Sequence, residues 1–156
     1  MKTVGVSRSG SPLPDFDIMY TTDELQEAVR EGSFVINTLP LTDQTRNLFN
    51  QSVFSSFKKG YYYINIGRGA TTNTSDLMDA LNSGQLNGAG LDVFETEPLP
   101  HDHPLWDMKQ VIITPHCAGA TDRYAERVID IFIENIKSYL NEGSPTRNRV
   151  DYNRQY

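Results

Sequence analysis

The sequence is poor in cysteine, in basic residues and in long apolar runs. Cys117 is the only cysteine among 156 residues, so no disulfide can form within the chain, and the reducing cytoplasm is the expected location. Fourteen basic residues stand against 20 acidic ones, and the resulting charge of -6 argues against general nucleic-acid binding, which needs a basic face. No apolar run approaches the length of a bilayer span, and no signal peptide precedes the first predicted strand, so we expect no membrane partner.

The glycine-rich turn G-x-G-x-x-G is missing as well. In dinucleotide-binding domains this turn seats the pyrophosphate on a helix N-terminus. The sequence contains isolated glycine pairs at Gly67-Arg68-Gly69 and Gly88-Ala89-Gly90, but neither stands in the context that the motif requires. We therefore expect this chain to lack a pyrophosphate-binding turn of the usual kind.

Length and hydropathy fit one domain with a sizeable core, since the chain is 38% hydrophobic and its mean hydropathy is -0.48. Short runs rich in β-branched and aromatic residues alternate with helical segments, which is typical of an α/β fold with a mostly parallel sheet. The predicted strands are Lys2–Ser7, Ser33–Asn37, Tyr61–Ile66, Gly88–Asp92 and Val111–Thr114, with a short candidate strand at Asp17–Tyr20.

Capping residues mark the predicted helices. Thr21 and Glu24 form a capping box for a helix that runs to about Arg30. Asn50 caps a second helix to Phe57, and Asn73 or Thr74 caps a third that runs through Leu81. A long helix opens at 118–121 and runs to about 142. Its apolar residues follow helical spacing and predict a core-facing stripe of Ala125, Val128, Ile129, Phe132, Ile136 and Tyr139.

The stretch from Gly88 to Thr121 has the strongest chemical content. It reads as two short strands that each open into a polar, proline-rich loop. Because the carboxyl ends of parallel strands meet at one edge of a sheet, we expect Asp92, Glu97 and His116 to gather there. A carboxylate beside an imidazole keeps one ring nitrogen protonated, as proton transfer to a substrate requires.

Four segments of the chain resemble the carboxyl-terminal half of the D-isomer-specific 2-hydroxyacid dehydrogenases, and they occur in the same order as in that family. The segments are YYINIGRGA at 62–70, LDVFETEP at 91–98, HPLW at 103–106 and ITPHCAGAT at 113–121. The resemblance implies a partial Rossmann-like, doubly wound sheet with helices on both faces. It also implies a truncated dinucleotide-binding domain over 1–142 and a tail over 143–156 that returns to a substrate domain. The substrate domain and the first βα unit of the family have no counterpart here.

The resemblance assigns catalytic roles to Arg68, Glu97 and His116. The family reaction transfers hydride between a nicotinamide and a 2-keto acid. Arg68 would hold the substrate carboxylate, because a guanidinium matches a planar carboxylate. His116 would exchange the proton, and Glu97 would orient it. The competing interpretation of Arg68 is a structural loop arginine. The subfamily that these segments resemble most is the glyoxylate/hydroxypyruvate reductases, and a glutamate in place of the glutamine of formate dehydrogenases favours keto-acid reduction.

The first predicted loop bears on the cofactor. In a dinucleotide-binding domain, an acidic residue in the loop after the corresponding strand would accept a hydrogen bond from the ribose 2′-hydroxyl of NAD. An arginine there would instead bind the 2′-phosphate of NADP. Arg8 and Ser9 occupy the loop and no acid precedes Asp15, so the expected cofactor is NADP, with NAD as the alternative. The competing interpretation of Arg8 is an exposed loop residue. The other residues that the resemblance places at the cofactor are Leu39, Pro40, Thr45, Ile66, Gly67, Asp92 and Gly119.

Metal and thiol chemistry have weaker support. His101 and His103 lie close together in sequence, but a metal site would need a third ligand, so we predict no metal. Cys117 follows His116 without an evident orienting partner, and we expect it to be a small buried side chain. Asp92 has a competing interpretation as the cap of its strand.

The missing central strand leaves several outcomes open. In the doubly wound order 3-2-1-4-5-6 the absent strand lies at the centre, so its neighbours keep unpaired edges. Another polypeptide supplies this strand, the chain rearranges, or the chain is a fragment. We expect a homo-oligomer that acts on a small 2-keto or 2-hydroxy acid, with the isolated chain catalytically silent. The alternatives are a dinucleotide-sensing corepressor-like module and a non-catalytic product that associates through its sheet edges.

Overall fold

The computed structural model describes residues 1–153 and 155. It divides into two compact units, Met1–His116 and Cys117–Tyr156, which are described separately. The predicted functional division after residue 142 is a different boundary and stays a prediction, and its tail includes residues 154 and 156, which lie outside the described residues. Within the described part, no helix is both long enough and apolar enough to cross a membrane.

The first unit contains all the strands and the shorter helices. In chain order its elements are β1 Val4–Val6, β2 Ile18–Tyr20, a 3-10 turn at Thr22–Glu24, α1 Leu25–Ala28, β3 Phe34–Asn37, α2 Gln51–Ser56, β4 Tyr61–Asn65, a 3-10 turn at Gly69–Thr71, α3 Thr74–Asn82, β5 Leu86–Leu91, a 3-10 turn at Pro104–Asp107 and β6 Val111–Ile113. The second unit contains α4, Tyr124–Glu142, followed by the carboxyl-terminal tail.

All the strand pairs are parallel, but they form two sheets. One sheet has the order β1-β2 and the other has the order β3-β4-β5-β6. The α/β class and the Rossmann-like arrangement are confirmed. The prediction that a single sheet contains the five main strands is wrong, because β1 pairs only with β2 among the described residues. In the doubly wound order a central strand lies between two such groups, and residues 1–153 and 155 form no strand at that place.

The predicted caps form. The Asn50 side chain accepts hydrogen bonds from the amides of Ser52 and Val53 at 3.0 and 3.3 Å, and the Asn73 side chain accepts from Asp76. Thr21 and Glu24 form the capping box. Helix α1 ends at Ala28 rather than at residue 30, because the amides of Arg30 and Glu31 bond three residues back, as in a 3-10 turn. The long helix begins at Tyr124, later than predicted.

The core of the first unit lies between the four-stranded sheet and helices α2 and α3. Tyr63 on β4 is fully buried at its centre. Its ring lies 5.0 Å from Phe49 and 5.3 Å from Phe54, in tilted and edge-to-face arrangements that aromatic pairs favour. On the opposite face of the sheet, Phe34 and Ile36 remain 61% and 58% exposed within this unit.

The prediction that an apolar stripe of α4 faces a hydrophobic core is wrong for this structure. No described residue of α4 is buried, and Phe132 and Tyr139 are each 61% exposed. The second unit contains only this helix and the tail, so it has little apolar surface with which to cover the stripe. The tail is held by polar contacts instead: Asn135 bonds to the backbone of Thr146 and Arg147, and Arg147 pairs with Glu134 at 2.8 Å.

We predict that Tyr63→Phe lowers the free energy of unfolding by about 1–3 kcal/mol, because it removes a buried hydroxyl that bonds to Asn37 and Thr72. Urea denaturation followed by circular dichroism measures this change. The matched control is Tyr62→Phe on the same strand, where the ring is 39% exposed and keeps its stacking on Phe34, so a change within about 0.5 kcal/mol is expected. Equal effects of the two substitutions would contradict the structural role of the buried hydroxyl.

Candidate active site

Buried polar residues mark the carboxyl edge of the four-stranded sheet, which is the edge formed by the carboxyl ends of its strands. Asn37 ends β3 and Asn65 ends β4, and these two residues are paired in the sheet. Asp92 follows directly after β5. The three side chains are only 1–3% exposed. Ligands of open parallel sheets bind at this edge, so we expect the functional site to lie there.

Asn37 and Asn65 make the same local hydrogen bond. Each side-chain oxygen accepts from the backbone amide two residues later, from Leu39 in one case and from Gly67 in the other, both at 3.0 Å. Such side-chain-closed turns fix the first residues of the loop that follows each strand. Sequence reasoning missed this pairing, although the repeat of Ile-Asn at the ends of two neighbouring predicted strands was a signal for it.

A buried hydrogen-bond network continues from these asparagines into the core. Tyr63 lies 2.6 Å from the Thr72 hydroxyl and accepts from Asn37 at 2.9 Å. Asn37 also donates to Thr71, and Asn65 donates to Thr72. Burial raises the pKa of the Tyr63 phenol strongly, and its hydrogen bonds with Thr72 and Asn37 offset this only in part. The phenol therefore stays neutral and serves as a fixed hydrogen-bonding group.

Two glycines place the loop that carries Arg68. A Cβ built at Gly67 would lie 2.6 Å from the Leu39 carbonyl oxygen, and one built at Gly69 would overlap the Phe94 backbone. Both positions thus require the absence of a side chain, because neighbouring backbone occupies the space. These glycines, which the sequence presented only as an isolated pair, bring the loops after β3, β4 and β5 together around Arg68.

Arg68 combines a fixed backbone with an exposed side chain. Its carbonyl oxygen accepts hydrogen bonds from the Thr71 hydroxyl at 2.6 Å and from the Asn65 side chain at 3.3 Å. The guanidinium donates to the Gly67 carbonyl at 2.7 Å. The structure therefore presents a cation at the carboxyl edge from an anchored loop, as a carboxylate-binding role requires.

Glu97 and His116 are brought together as the sequence predicted. The His116 Nδ1 lies 2.7 Å from the Glu97 Oε2, and the other carboxylate oxygen of Glu97 accepts from the Phe94 amide at 2.9 Å. Burial alone would raise the pKa of Glu97, but the hydrogen bonds with His116 and with the Phe94 amide outweigh it and lower that pKa. The carboxylate form is therefore favoured, and it accepts a hydrogen bond from a protonated Nδ1 and leaves Nε2 for a reacting group.

His116 has a left-handed backbone conformation, with φ at 52°. Residues other than glycine adopt this conformation uncommonly, and when they do it often lies at a functional site. The His116 amide donates to the Thr114 carbonyl at 3.1 Å, which closes a tight turn directly after β6. About half of the side chain is exposed, so the imidazole can contact a ligand while Glu97 holds it.

Asp92 is a buried residue of the same unit. Its carboxylate accepts from the Thr114 hydroxyl at 2.5 Å, and its amide donates to the Asn65 carbonyl. This geometry ties the end of β5 to β4 and to the residue after β6. It is compatible with the strand-cap interpretation and with the cofactor interpretation, so the role of Asp92 stays a prediction.

The remaining predicted cofactor residues lie on several loops. Thr45 closes the turn at Leu39–Thr45 by donating to the Pro40 carbonyl at 2.7 Å, and Ile66 is 42% exposed beside Gly67. Arg8 and Ser9 follow β1 and are exposed. Gly119 belongs to the second unit, which is described separately, so its predicted role stays a prediction.

The structure also shows the surroundings of His103 and Cys117, which were considered for metal and thiol chemistry. His103 accepts from the Leu105 amide through Nδ1 and caps the 3-10 turn at Pro104–Asp107. Among the described residues, no cluster of three or more histidine, cysteine or acidic side chains could hold a metal ion. The expectation that Cys117 is buried is wrong. It is exposed, because it lies on the polypeptide that leaves the first unit rather than in the core.

Comparisons with known proteins agree on one family. Residues 1–118 match the family described as D-isomer specific 2-hydroxyacid dehydrogenase, NAD binding domain. A glyoxylate/hydroxypyruvate reductase A of Salmonella choleraesuis (strain SC-B67) is 39% identical over 150 residues, which are 96% of this chain and 47% of that protein. The chain thus spans about half the length of the curated relatives it matches.

Two solved structures have the same fold over nearly the whole chain. The NADPH-dependent glyoxylate/hydroxypyruvate reductase of Sinorhizobium meliloti, in complex with NADP and sulfate, has a TM-score of 0.89 at 32% identity and covers 99% of this chain and 49% of that one. A D-isomer specific 2-hydroxyacid dehydrogenase of Xanthobacter autotrophicus Py2, in complex with NADPH and MES, also has a TM-score of 0.89, at 35% identity, and covers 98% of this chain and 62% of that one.

We predict that Glu97 titrates below its ordinary pKa of 4.5 and that His116→Phe raises its pKa, since this substitution removes a hydrogen bond that favours the carboxylate. The stability that Glu97 contributes is then present above about pH 4.5 and is lost as the pH falls through the lowered pKa. Side-chain carboxyl NMR across an acid titration measures both effects. His101→Phe is the matched control and should leave the Glu97 titration unchanged. A Glu97 pKa that does not respond to His116→Phe would mean that the pair does not form in solution.

Proposed function

Because the chain belongs to the D-isomer-specific 2-hydroxyacid dehydrogenase family, we propose that its carboxyl edge serves reversible hydride transfer between NAD(P)H and a small 2-keto acid, giving a D-2-hydroxy acid. The observation that carries this proposal is the 2.7 Å contact between His116 and Glu97. An oriented imidazole with a free ring nitrogen is what proton exchange with an alkoxide needs. The reductive reaction consumes one hydride at the carbonyl carbon and one proton at its oxygen.

Each catalytic side chain has a distinct task in this proposal. Arg68 pairs with the substrate carboxylate through its guanidinium and polarises the keto oxygen. His116 gives its Nε2 proton to the oxygen that becomes the hydroxyl, and it takes one back in the oxidative direction. Glu97 holds Nδ1 protonated and stabilises the charged imidazolium form. Its low pKa supports this task, because a carboxylate stabilises a nearby cation and a neutral carboxyl does not.

Residues on this chain fit two parts of a dinucleotide. Arg8, in the loop after β1, offers a guanidinium for a 2′-phosphate, and Ser9 is the next residue. Asp92, Ile66, Gly67, Leu39, Pro40 and Thr45 lie on the loops beyond the four-stranded sheet, where the nicotinamide end would bind, and Gly119 is the further candidate. The bound nicotinamide supplies the hydride. The sequence offers no glycine-rich turn for the pyrophosphate, so the fit is partial.

The relatives narrow the proposed substrate and cofactor. The Salmonella protein is named a glyoxylate/hydroxypyruvate reductase, and the Sinorhizobium enzyme is NADPH-dependent and was solved with NADP. We therefore assign a glyoxylate- or hydroxypyruvate-like acid and NADP to this site, with NAD as the alternative cofactor. Cytoplasmic location and homo-oligomeric assembly stay predictions.

We further propose that the isolated chain is catalytically silent. Holding reactants in near-attack geometry supplies roughly 7–11 kcal/mol of barrier reduction. This chain spans about half of its relatives and lacks the glycine-rich turn, so it cannot fix the cofactor in the same way. We expect an NADPH dissociation constant near the millimolar range or weaker, equivalent to about -4 kcal/mol.

We predict that the isolated chain does not oxidise NADPH with glyoxylate or hydroxypyruvate, whereas a chimera in which it replaces the matching half of the Salmonella reductase does. In the chimera, His116→Asn should lower kcat by about 10²–10⁴-fold, because it removes the proton donor, while NADPH binding persists. Absorbance assays and calorimetric titration measure these quantities. An inactive chimera that still binds NADPH would favour the corepressor-like alternative, and turnover by the isolated chain would contradict its proposed silence.

We predict that Arg8→Asp in the same chimera weakens NADPH binding far more than NADH binding, because an acid repels the 2′-phosphate and accepts from the 2′-hydroxyl. Calorimetric titration with each cofactor measures the two dissociation constants. Lys2→Asp, just before β1, is the control for the change of charge, and it should affect both cofactors alike. Equal effects of Arg8→Asp on the two cofactors would mean that Arg8 is a loop residue with no role in cofactor choice.

A further inference from the structure

The buried side chain of Asn65 makes two of its three hydrogen bonds to the loop that carries Arg68. Its oxygen accepts from the Gly67 amide at 3.0 Å, and its nitrogen donates to the Arg68 carbonyl at 3.3 Å. The same nitrogen also donates to the Thr72 hydroxyl at 3.0 Å. A buried amide that uses its oxygen and both of its N–H groups in this way is held in one orientation.

This set of bonds requires an amide side chain. A carboxylate offers acceptors only, and a hydroxyl has a single proton to donate. Asn37, which is paired with Asn65 in the sheet, provides an internal comparison, because its nitrogen donates to the side chains of Tyr63 and Thr71. Both N–H groups of Asn37 are therefore used within the core, whereas Asn65 directs one of its two to the Arg68 carbonyl.

The bonds of Asn65 fix the backbone on both sides of Arg68. The Gly67 amide lies in the peptide plane before Gly67, and the Arg68 carbonyl lies in the plane after Arg68. The plane between these two carries the Gly67 carbonyl, to which the guanidinium donates at 2.7 Å. Asn65 thus controls the direction of the cation through three consecutive peptide groups.

The Arg68 carbonyl has a second anchor in Thr71. The Thr71 hydroxyl donates to this carbonyl at 2.6 Å, and the Thr71 amide donates to it at 3.1 Å. Thr71 is fully buried, and its hydroxyl accepts from Asn37 at 2.8 Å. Because the Asn37 nitrogen can only donate, the proton of the Thr71 hydroxyl is left for the Arg68 carbonyl.

The loop needs such anchors because of its glycines. Gly67 and Gly69 are required by the close approach of the neighbouring backbone, but glycine also restricts the backbone least. An exposed arginine between two glycines would adopt many orientations, and fixing one of them on binding would cost conformational entropy. Buried hydrogen bonds from Asn65 and Thr71 supply the restriction that the glycines do not.

We propose that Asn65 and Thr71 are positioning residues that order Arg68 before the carboxylate of a 2-keto acid binds to it. Both residues act through Arg68 and do not contact the substrate themselves. An ordered guanidinium loses less freedom on binding, so it binds a carboxylate more tightly and holds the reacting carbonyl in place. The choice of ligand rests on the proposed function, whereas the ordering of Arg68 is measurable without any ligand.

Nitrogen-15 NMR relaxation of the Arg68 Nε–H group, recorded on the whole chain, tests the ordering. Asn65→Asp keeps the acceptor for Gly67 but loses both donors, so the order parameter should fall by about a third. Thr71→Val should have the same effect, while Thr71→Ser keeps the hydroxyl and should retain the order of the wild type. A wild-type value below about 0.6, as in a flexible segment, would overturn the proposal. An unchanged value in either Asn65→Asp or Thr71→Val would overturn the role of that residue, and where one variant does not fold the other decides.

Tyr63→Phe separates positioning from general stability. It removes a hydroxyl from the same buried network but leaves the three hydrogen bonds of Asn65 in place. This variant should be less stable, yet the order of the Arg68 Nε–H group should not change. A loss of order as large as that in Asn65→Asp would mean that Asn65 has a structural role only, which would overturn the proposal.

Oxalate is the probe for carboxylate binding, because it is small and planar and carries neighbouring oxygens as a 2-keto acid does. In titrations followed at the Arg68 Nε–H signal, its dissociation constant should rise at least about fivefold in Asn65→Asp and in Thr71→Val. The second variant introduces no charge, and Tyr63→Phe should stay within about twofold of the wild type. Unchanged oxalate affinity despite lost order would overturn the proposal.

The two measurements distinguish failure of the positioning from failure of the proposed function. If oxalate does not affect Arg68 in the wild type although its order depends on Asn65, the positioning is supported and the carboxylate-binding role in the proposed function is contradicted. If oxalate binds to Arg68 but neither Asn65→Asp nor Thr71→Val changes its order, the proposed function is supported and the positioning is overturned.

Discussion

The buried hydroxyl of Tyr63 connects the hydrophobic core to the candidate site. Its ring packs in the aromatic cluster against α2, while its oxygen bonds to Asn37 and Thr72 at the carboxyl edge. A buried polar atom without a partner costs about 1–3 kcal/mol, and no such side-chain atom occurs among the described residues. Loss of one member would leave its buried partners unpaired, and the asparagines of this network also fix the turns at Leu39 and Gly67.

From that network, a chain of contacts leads to the catalytic candidates. Gly67 and Gly69 let their loop lie directly on the backbone of Leu39 and Phe94. The Phe94 amide in turn donates to Glu97, which holds His116. Arg68 thus lies on a loop that is packed against the segment that positions Glu97 and His116. Precision at this site comes from backbone contacts that only glycine permits, rather than from large side chains.

Local features of the chain were predictable from sequence. The caps at Asn50 and Asn73 depend on residues only two or three positions away, and the structure contains both. The strands were located because their composition is local as well. The proximity of Glu97 and His116 was predictable because both follow strands, and parallel strands end at one edge. Their roles in catalysis stay predictions, since proximity alone does not define chemistry.

Features that depend on distant parts of the polypeptide were not predictable in the same way. Helical spacing located the apolar face of α4, but spacing does not say what covers that face, and Phe132 is largely exposed. The network of Asn37 and Thr71 joins residues 34 positions apart, so no local pattern reveals it. Likewise, the division into two sheets depends on the spatial order of strands that are far apart in sequence, and only the structure shows that order.

Strand β3 has apolar side chains on both of its faces, but only one of these faces is buried in the first unit. Its run of Phe-Val-Ile is apolar at successive positions, as in parallel strands that are covered on both faces. Val35 faces the core, yet Phe34 and Ile36 remain exposed in the first unit. Phe34 stacks on Tyr62 at 5.1 Å, which covers part of this surface. The apolar composition of β3 thus specifies burial on both faces, and among the described residues only one face is buried.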